Sequence, residues 1–261
     1  MARPRPSKSN RLSASVLELS LILAAAGCAS VPVRQPVSPE AAAAQTLIER
    51  RCAEFHDLRT LAEITMRKGD RTQRLAGVLL LRAPASTRFE ALSPLGTPVL
   101  IVAGDASMLT VWEVLDDKAY RLPASPDATK RWLGLALGPD ELVATLAGCA
   151  LPLKDPLVVE LLAPDDTGPS LRLRGKDMVQ RIWFDPADGQ PRAVEWTDGT
   201  PAHVTFTDGA PDSVPTTLRL YTLDGKMEVR IRYQNPRLNS GFDPGLMTLS
   251  VPERVRIQDF R

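Results

Sequence analysis

Histidine is almost missing from this chain: there are two in 261 residues, His56 and His203. That scarcity excludes a His-rich zinc site and an H-E-x-x-H helix. G-x-S-x-G, a P-loop, C-x-x-C and G-x-G-x-x-G are missing as well. Catalysis is therefore poorly supplied, and a protein that is not an enzyme and holds no cofactor or metal is expected. Neither charge sign is in excess, with 32 Lys plus Arg against 31 Asp plus Glu, so there is no basic field for nucleic acid. Internal repeats and low-complexity tracts are absent too. Aromatic residues make up only 5% of the chain, and Leu, Val, Ile and Ala dominate its apolar runs.

The remaining titratable residues have ordinary readings. His56, beside Asp57 at the expected end of a helix, favours the helix dipole, and His203 lies in a strand where a surface or cross-strand role is the default. Asp116-Asp117 and Asp165-Asp166 fall in turns, where aspartate hydrogen-bonds its own backbone. "DPADGQ" at 185–190 lacks the alternating acids and glycine of a calcium loop.

The N-terminus is informative. Residues 1–12 carry Arg3, Arg5, Lys8 and Arg11 without an acid, and residues 13–27 are largely apolar, ending "LILAAAGC" at Cys28. This is the layout of a secretory signal, too short for a comfortable membrane span. Ala25, Ala26 and Gly27 before Cys28 resemble the lipobox of bacterial lipoproteins. That resemblance implies cleavage after residue 27 and a diacylglycerol and acyl modification on Cys28. Several acyl chains hold a protein to a bilayer far more firmly than one. Aspartate after such a cysteine commonly signals inner-membrane retention; here Ala29 follows, which implies the outer membrane, periplasmic face. Residues 28–38, rich in proline and without periodicity, read as a tether. Residues 39–261 are long enough for one sizeable core. An oxidising compartment permits a Cys52–Cys149 disulfide, and buried free thiols are the other possibility.

Ser38-Pro39 is a helix start, an N-cap followed by proline. The helix is expected to reach about Asp57, with Leu47, Ile48, Cys52 and Phe55 on one face. From Leu58 on, short strands dominate, with turns at Gly69-Asp70, Asp116-Asp117 and Asp224-Gly225. In "KMEVRIRYQ", Met227, Val229, Ile231 and Tyr233 alternate with Glu228, Arg230 and Arg232, which gives one buried and one solvated face. One helical interruption, residues 125–148, starts at Ser125-Pro126 and is split at Gly138-Pro139. Without parallel crossover helices the sheet should be antiparallel. About ten or eleven strands are too many to lie flat. The expected fold is mainly β, a strongly curved antiparallel sheet forming an incomplete half-barrel, its concave side covered by helices. Its aliphatic lining is either a core or a seat for acyl chains; composition does not separate the two.

In "FEALSPLGTPVLIV", residues 89–102, two alternating runs flank Ser93-Pro94-Leu95-Gly96, whose chemistry suits a type I turn. A leucine at the third position either points to solvent or folds back beneath its hairpin.

In order along the chain, several segments resemble the LolA/LolB-like superfamily of periplasmic lipoprotein carriers and receptors. "ALSPLGTPVLIVAGD" is similar to the receptor's protruding loop between two strands, and "RWLGLALGPDELVATLAGCALP" to its paired short helices. "IWFDPADGQPRAVEWTDG" and "GFDPGLMTLSVPERVRIQDF" resemble the carrier's strand-turn-strand and C-terminal ending. The resemblance covers residues 42–258. It implies a helical lid over a hydrophobic cavity for lipoprotein acyl chains, a periplasmic carrier as donor, and a monomer. It also implies a membrane-insertion loop at Pro94, Leu95 and Gly96. Leu133, Leu137, Leu142 and Leu146 are expected on the lid's inner face. The implied function is insertion of lipoproteins into the outer membrane. A structural or assembly lipoprotein that grips a protein partner is the alternative.

Overall fold

The computed structural model describes residues 34–133, 136–197, 201–207 and 214–260, with 131–133 as backbone only. The signal segment 1–27, Cys28 and the tether up to Val33 lie outside the described residues.

Helix α1 spans Pro39–Ala53. Ser38 caps it as its sequence demands, the hydroxyl oxygen accepting from the Ala41 N–H at 3.2 Å. Ala41, Ala44 and Ile48 form its buried stripe. The helix stops four residues short of the expected Asp57 because that residue opens the first strand. Phe55 is buried beyond the helix, and Leu47 and Cys52 are only partly buried against the core.

Six strands then run as a meander: β1 Asp57–Lys68, β2 Arg71–Arg82, β3 Ser86–Leu92, β4 Pro98–Gly104, β5 Met108–Glu113 and β6 Lys118–Pro123. Two short helices follow, α2 Pro126–Leu133 and α3 Pro139–Leu146. A second meander comprises β7 Val158–Asp165, β8 Gly168–Arg174, β9 Val179–Phe184, β10 Pro191–Trp196, β11 Ala202–Thr207, β12 Thr217–Thr222 and β13 Met227–Leu238. After a single 3-10 turn at Pro244–Met247 comes β14, Arg256–Asp259. All fourteen belong to one sheet, ordered β14-β6-β5-β4-β3-β2-β1-β13-β12-β11-β10-β9-β8-β7. The seam between the meanders is the long antiparallel pair β1–β13, where Ala62 faces Tyr233 and Ile64 faces Ile231.

Two expectations need correcting. The strands number fourteen among the described residues, not ten or eleven, and the sheet is not wholly antiparallel: β14 pairs with β6 in parallel, Arg256 opposite Lys118. Parallel neighbours need a connection of a dozen residues or more, not necessarily a helix. Here the connection takes in α2, α3 and the whole second meander, and its last part, the C-terminal segment, lies against β3 and ends on β6 and so crosses β4 and β5.

The sheet is open, with β14 and β7 as its edges, and it curls. Helix α3 lies against β2 and β3, whereas α1 lies against β7 and β8. Seven strand spacings separate β2 from β8, which is roughly 33 Å if flat. Yet α1 and α3 share one hydrophobic core, and the Cys52 thiol at the end of α1 hydrogen-bonds Cys149 just past α3. Only a concave sheet brings these together. Gly77 makes part of the bend possible. A Cβ there would lie 1.9 Å from the Glu90 carbonyl oxygen on β3, so a side chain at 77 has no room.

Candidate functional site

The inner face of the sheet is lined by aliphatic residues of β1 to β13, but it is not covered evenly. In the second meander Leu171, Leu173, Ile182, Val194 and Val204 are essentially fully buried beneath α1 and the helical lid. In the first meander the register places Ile64 opposite Leu75 and Phe89 opposite Val102 on that same face. There Ile64, Met66, Leu75, Leu100 and Val102 are only partly buried, as are Leu142 and Leu146 of α3. On the side of β1–β5 the inner face is therefore sealed at Leu58, Leu79 and Leu81 and only partly covered toward the 93–96 hairpin.

The lid is held by few polar contacts. Tyr233 Oη, in the middle of β13, donates to the Leu146 carbonyl at 2.6 Å, and burial pushes its phenol well above the ordinary range. Thr129 Oγ1 on α2 accepts from the Leu137 N–H at 3.1 Å, which ties α2 to the connector before α3. Glu141 accepts from the Gly138 N–H at 2.7 Å, and Lys154 pairs with Asp140 at 2.7 Å. Cys52 and Cys149 are free thiols. The bond to Cys149, and then burial, raise the Cys52 thiol far above its usual range, so it stays protonated.

The sequence-chosen lid residues land unequally. Leu137 is buried in the core, Leu142 and Leu146 flank it, and the side chain of Leu133 lies outside the described residues. The most inward residue of α3 is Val143, 1% exposed. It was missed because the leucine spacing drew attention to the neighbouring stripe.

The hairpin at 93–96 is the most telling local feature. The Gly96 N–H donates to the Ser93 carbonyl at 2.9 Å, and the Ser93 N–H donates to the Thr97 carbonyl at 2.8 Å. Gly96 sits at φ +80°, a conformation glycine adopts without strain. The result is a type I turn followed by a left-handed residue, one of the standard short hairpin connections. The Ser93 hydroxyl oxygen also accepts from the N–H groups of Leu95 and Thr97, at 3.3 Å each. On this stiffened corner Leu95 is 92% exposed. The alternative of a leucine folded beneath its own turn is thus set aside.

A second apolar tip stands beside it. Leu100 pairs with both Ala91 and Glu113, so the β3–β4 and β5–β6 turns occupy the same end of the sheet. Leu115, in the latter turn, is 80% exposed. The Asp116-Asp117 pair next to it marked the turn in the sequence, and the leucine passed unnoticed.

Elsewhere the chemistry is structural. His203 packs across strands, stacked on Tyr221 at 5.2 Å with Nδ1 3.3 Å from Glu195 Oε2. Asp185 accepts from the Ala187 N–H and pairs with Arg192; those contacts hold its carboxyl below the usual range. Among the described residues no three His, Cys, Asp or Glu side chains group as a metal site would need. No helix among them is long and apolar enough to cross a membrane.

No protein-family model matches the sequence, and no curated protein does. Solved structures do match. A domain named for outer-membrane lipoprotein sorting, from Vibrio parahaemolyticus, aligns over 79% of this chain and 97% of its own, at 12% identity and a TM-score of 0.56. A LolA superfamily protein from Nitrosomonas europaea aligns over 79% and 97%, at 12% identity and 0.53. This chain shares the fold of both. A DUF1329 family protein from Desulfovibrio piger also has it, over 81% of this chain and 98% of that one, at 11% identity and 0.57. At such identities the likeness extends to the fold and not to individual residues.

Proposed function

We propose that this chain is an envelope lipoprotein that takes the acyl chains of other lipoproteins and helps insert them into the outer membrane. Cys28 is its lipid anchor, and it stands on the periplasmic face. Acyl chains lie against the half-buried surface of Ile64, Leu75, Leu100 and Val102, and the lid lifts as the Tyr233–Leu146 bond breaks. No covalent step is required, because cargo moves from a weaker apolar seat to the bilayer. Support comes from the shared fold and, above all, from Leu95, a large apolar side chain held in water on a rigid corner. Burying it in a bilayer is worth about 1.5–3 kcal/mol, enough for a transient tip and too little for an anchor.

A structural or assembly lipoprotein that binds a protein partner is the second reading. The tight burial of Leu137 and Val143 favours it, since that part of the interior holds the chain's own side chains. The deciding experiment is transfer of a labelled lipoprotein from a donor carrier to outer-membrane vesicles, with the full chain and its Leu95→Glu variant. Loss of transfer by about tenfold or more is expected for burial energies of this size. Unimpaired transfer by the variant overturns the tip role. Acyl species released by extracting the purified protein support the carrier, and their consistent absence supports the partner-binding reading.

A further inference from the structure

Alternate residues of the central strands point away from the lid, and near the Leu95 hairpin they make a second surface. A groove of about 810 Å³ lies there, walled by Arg74 of β2, Glu63 of β1, Arg230 and Arg232 of β13, and Ser93-Pro94 of the hairpin. The register explains the convergence: Arg232 is opposite Glu63, and Arg230 and Arg74 both flank Thr65. Three guanidinium groups thus share one groove with a single carboxylate. Glu63 accepts from Gln234 Nε2 at 2.7 Å. Arg230 is 3.7 Å from Glu228, which Arg67 and Arg219 already hold at 3.0 and 2.7 Å. Arg74 and Arg232 have no carboxylate partner among the described residues.

Free, exposed arginines on a protein surface are ordinary. What distinguishes these is the wall they share with the tip. A hairpin that dips its leucine into the edge of the hydrocarbon carries this groove toward the headgroup layer, which is roughly 5–7 Å thick on each side. Guanidinium is the side chain best suited to phosphate there, because its planar fork donates two parallel hydrogen bonds. We infer that the arginine groove behind the Leu95 hairpin binds the phosphate of an anionic phospholipid headgroup, so that the tip enters the bilayer in one orientation. This rests on the reading of Leu95 as a membrane tip.

The test uses the full chain carrying Cys28→Ser, so that no acyl anchor forms on it and every variant shares the same N-terminal segment. Flotation is measured with vesicles of phosphatidylcholine alone and with roughly one-third phosphatidylglycerol. Each arginine near an anionic surface is worth about fivefold in binding. The parent is expected to prefer the anionic vesicles by about tenfold or more. The Arg74→Gln/Arg232→Gln pair loses that preference, while Arg82→Gln/Arg237→Gln, an equal charge loss at the opposite end of β1, keeps it. Survival of the preference in the first pair overturns the inference, and so does an equal loss in both pairs. Competition by inorganic phosphate at matched ionic strength overturns the lipid assignment and leaves a site for free phosphate. No preference in the parent, together with binding of polyglutamate, assigns the groove to an acidic protein partner and overturns it too. Leu95→Glu separates the two readings: it lowers flotation on both vesicles if the tip inserts. Undiminished flotation of that variant sinks the tip while leaving the groove to be judged by the arginine pairs.

Discussion

One sheet treats the same residue types in two ways. From β8 to β13, Leu171, Leu173 and Ile182 on the inner face are sealed at 0% exposure and Leu218 at 2%, although Leu161 on the edge strand β7 is 40% exposed. In the first meander, inner residues toward the Leu95 end such as Leu75, Leu100 and Val102 are half-covered, although Leu79 and Leu81 nearer the other end of β2 are sealed, and on the opposite face of β4 Ile101 and Ala103 are buried. The difference lies in where the covering segments go. Helix α1 is spent on β7 and β8, whereas the C-terminal segment crosses the outside of the first meander on its way to β6. The first meander is thereby stabilised from behind, and its inner surface near the Leu95 hairpin is left half-covered. A seat for an apolar ligand is recognisable by incomplete burial, since a sealed aliphatic face is simply core.

The largest expected effect tests that contrast directly. Leu171→Ala should lower unfolding free energy by about 3–4 kcal/mol, because a fully enclosed leucine leaves a cavity. Leu100→Ala should cost roughly 1 kcal/mol. Urea titrations of the two variants read the difference, and equal losses would erase the distinction between the halves. Next comes Gly77→Ala. With a Cβ driven into the Glu90 carbonyl, β2 and β3 must part where the sheet bends, at a cost of about 2–3 kcal/mol. A thermal melt indistinguishable from the parent would mean that the bend does not depend on that close approach.

Much of this arrangement was legible in the residues, and the failures have physical causes. Ser38-Pro39, the turn pairs at 69–70 and 224–225, and the alternation of 227–233 each carry their signal within a few neighbours, and each lands where expected. Leu95 was legible as an anomaly, a large apolar residue at a turn position that faces water. β14 was not: its four residues are all exposed and lack periodicity, and its partner lies well over a hundred positions earlier. The inward position of Val143 depends on how α3 rotates against β2 and β3, which no spacing within eight residues decides. The arginine groove is assembled from β1, β2 and β13, whose register follows only after the two meanders have met.

The seam itself offers a smaller, pH-dependent test. Glu228 of β13 is gripped first by Arg219 of β12 and then by Arg67 of β1, and these hold its carboxyl below the usual range. A carboxyl lowered in the folded state stabilises above its unfolded pKa, about 4.3. That contribution is lost as pH falls through the depressed folded value. Glu228→Gln should therefore lower the urea midpoint near pH 7 by a surface-pair amount and flatten its fall below about pH 5, where parent and variant converge. An unchanged acid limb would show that the pairing does not join the two meanders energetically.

The smallest effect on stability is expected where the chain looks most costly. Leu95 and Leu115 stand 92% and 80% exposed on adjacent tips, so folding removes almost none of their surface from water. Replacing both with serine deletes no core contact and leaves the backbone bonds of the two turns intact, and the unfolding free energy should stay within about 0.5 kcal/mol of the parent. The comparison with Leu171 then becomes one of purpose: identical side chains, one needed for folding and two that contribute nothing to it. A loss above about 1 kcal/mol would mean that the tips pack inward in solution, and the case for a function in their exposure would fall with it. If the loss is absent, these leucines do nothing for the fold, as the proposed tip role requires.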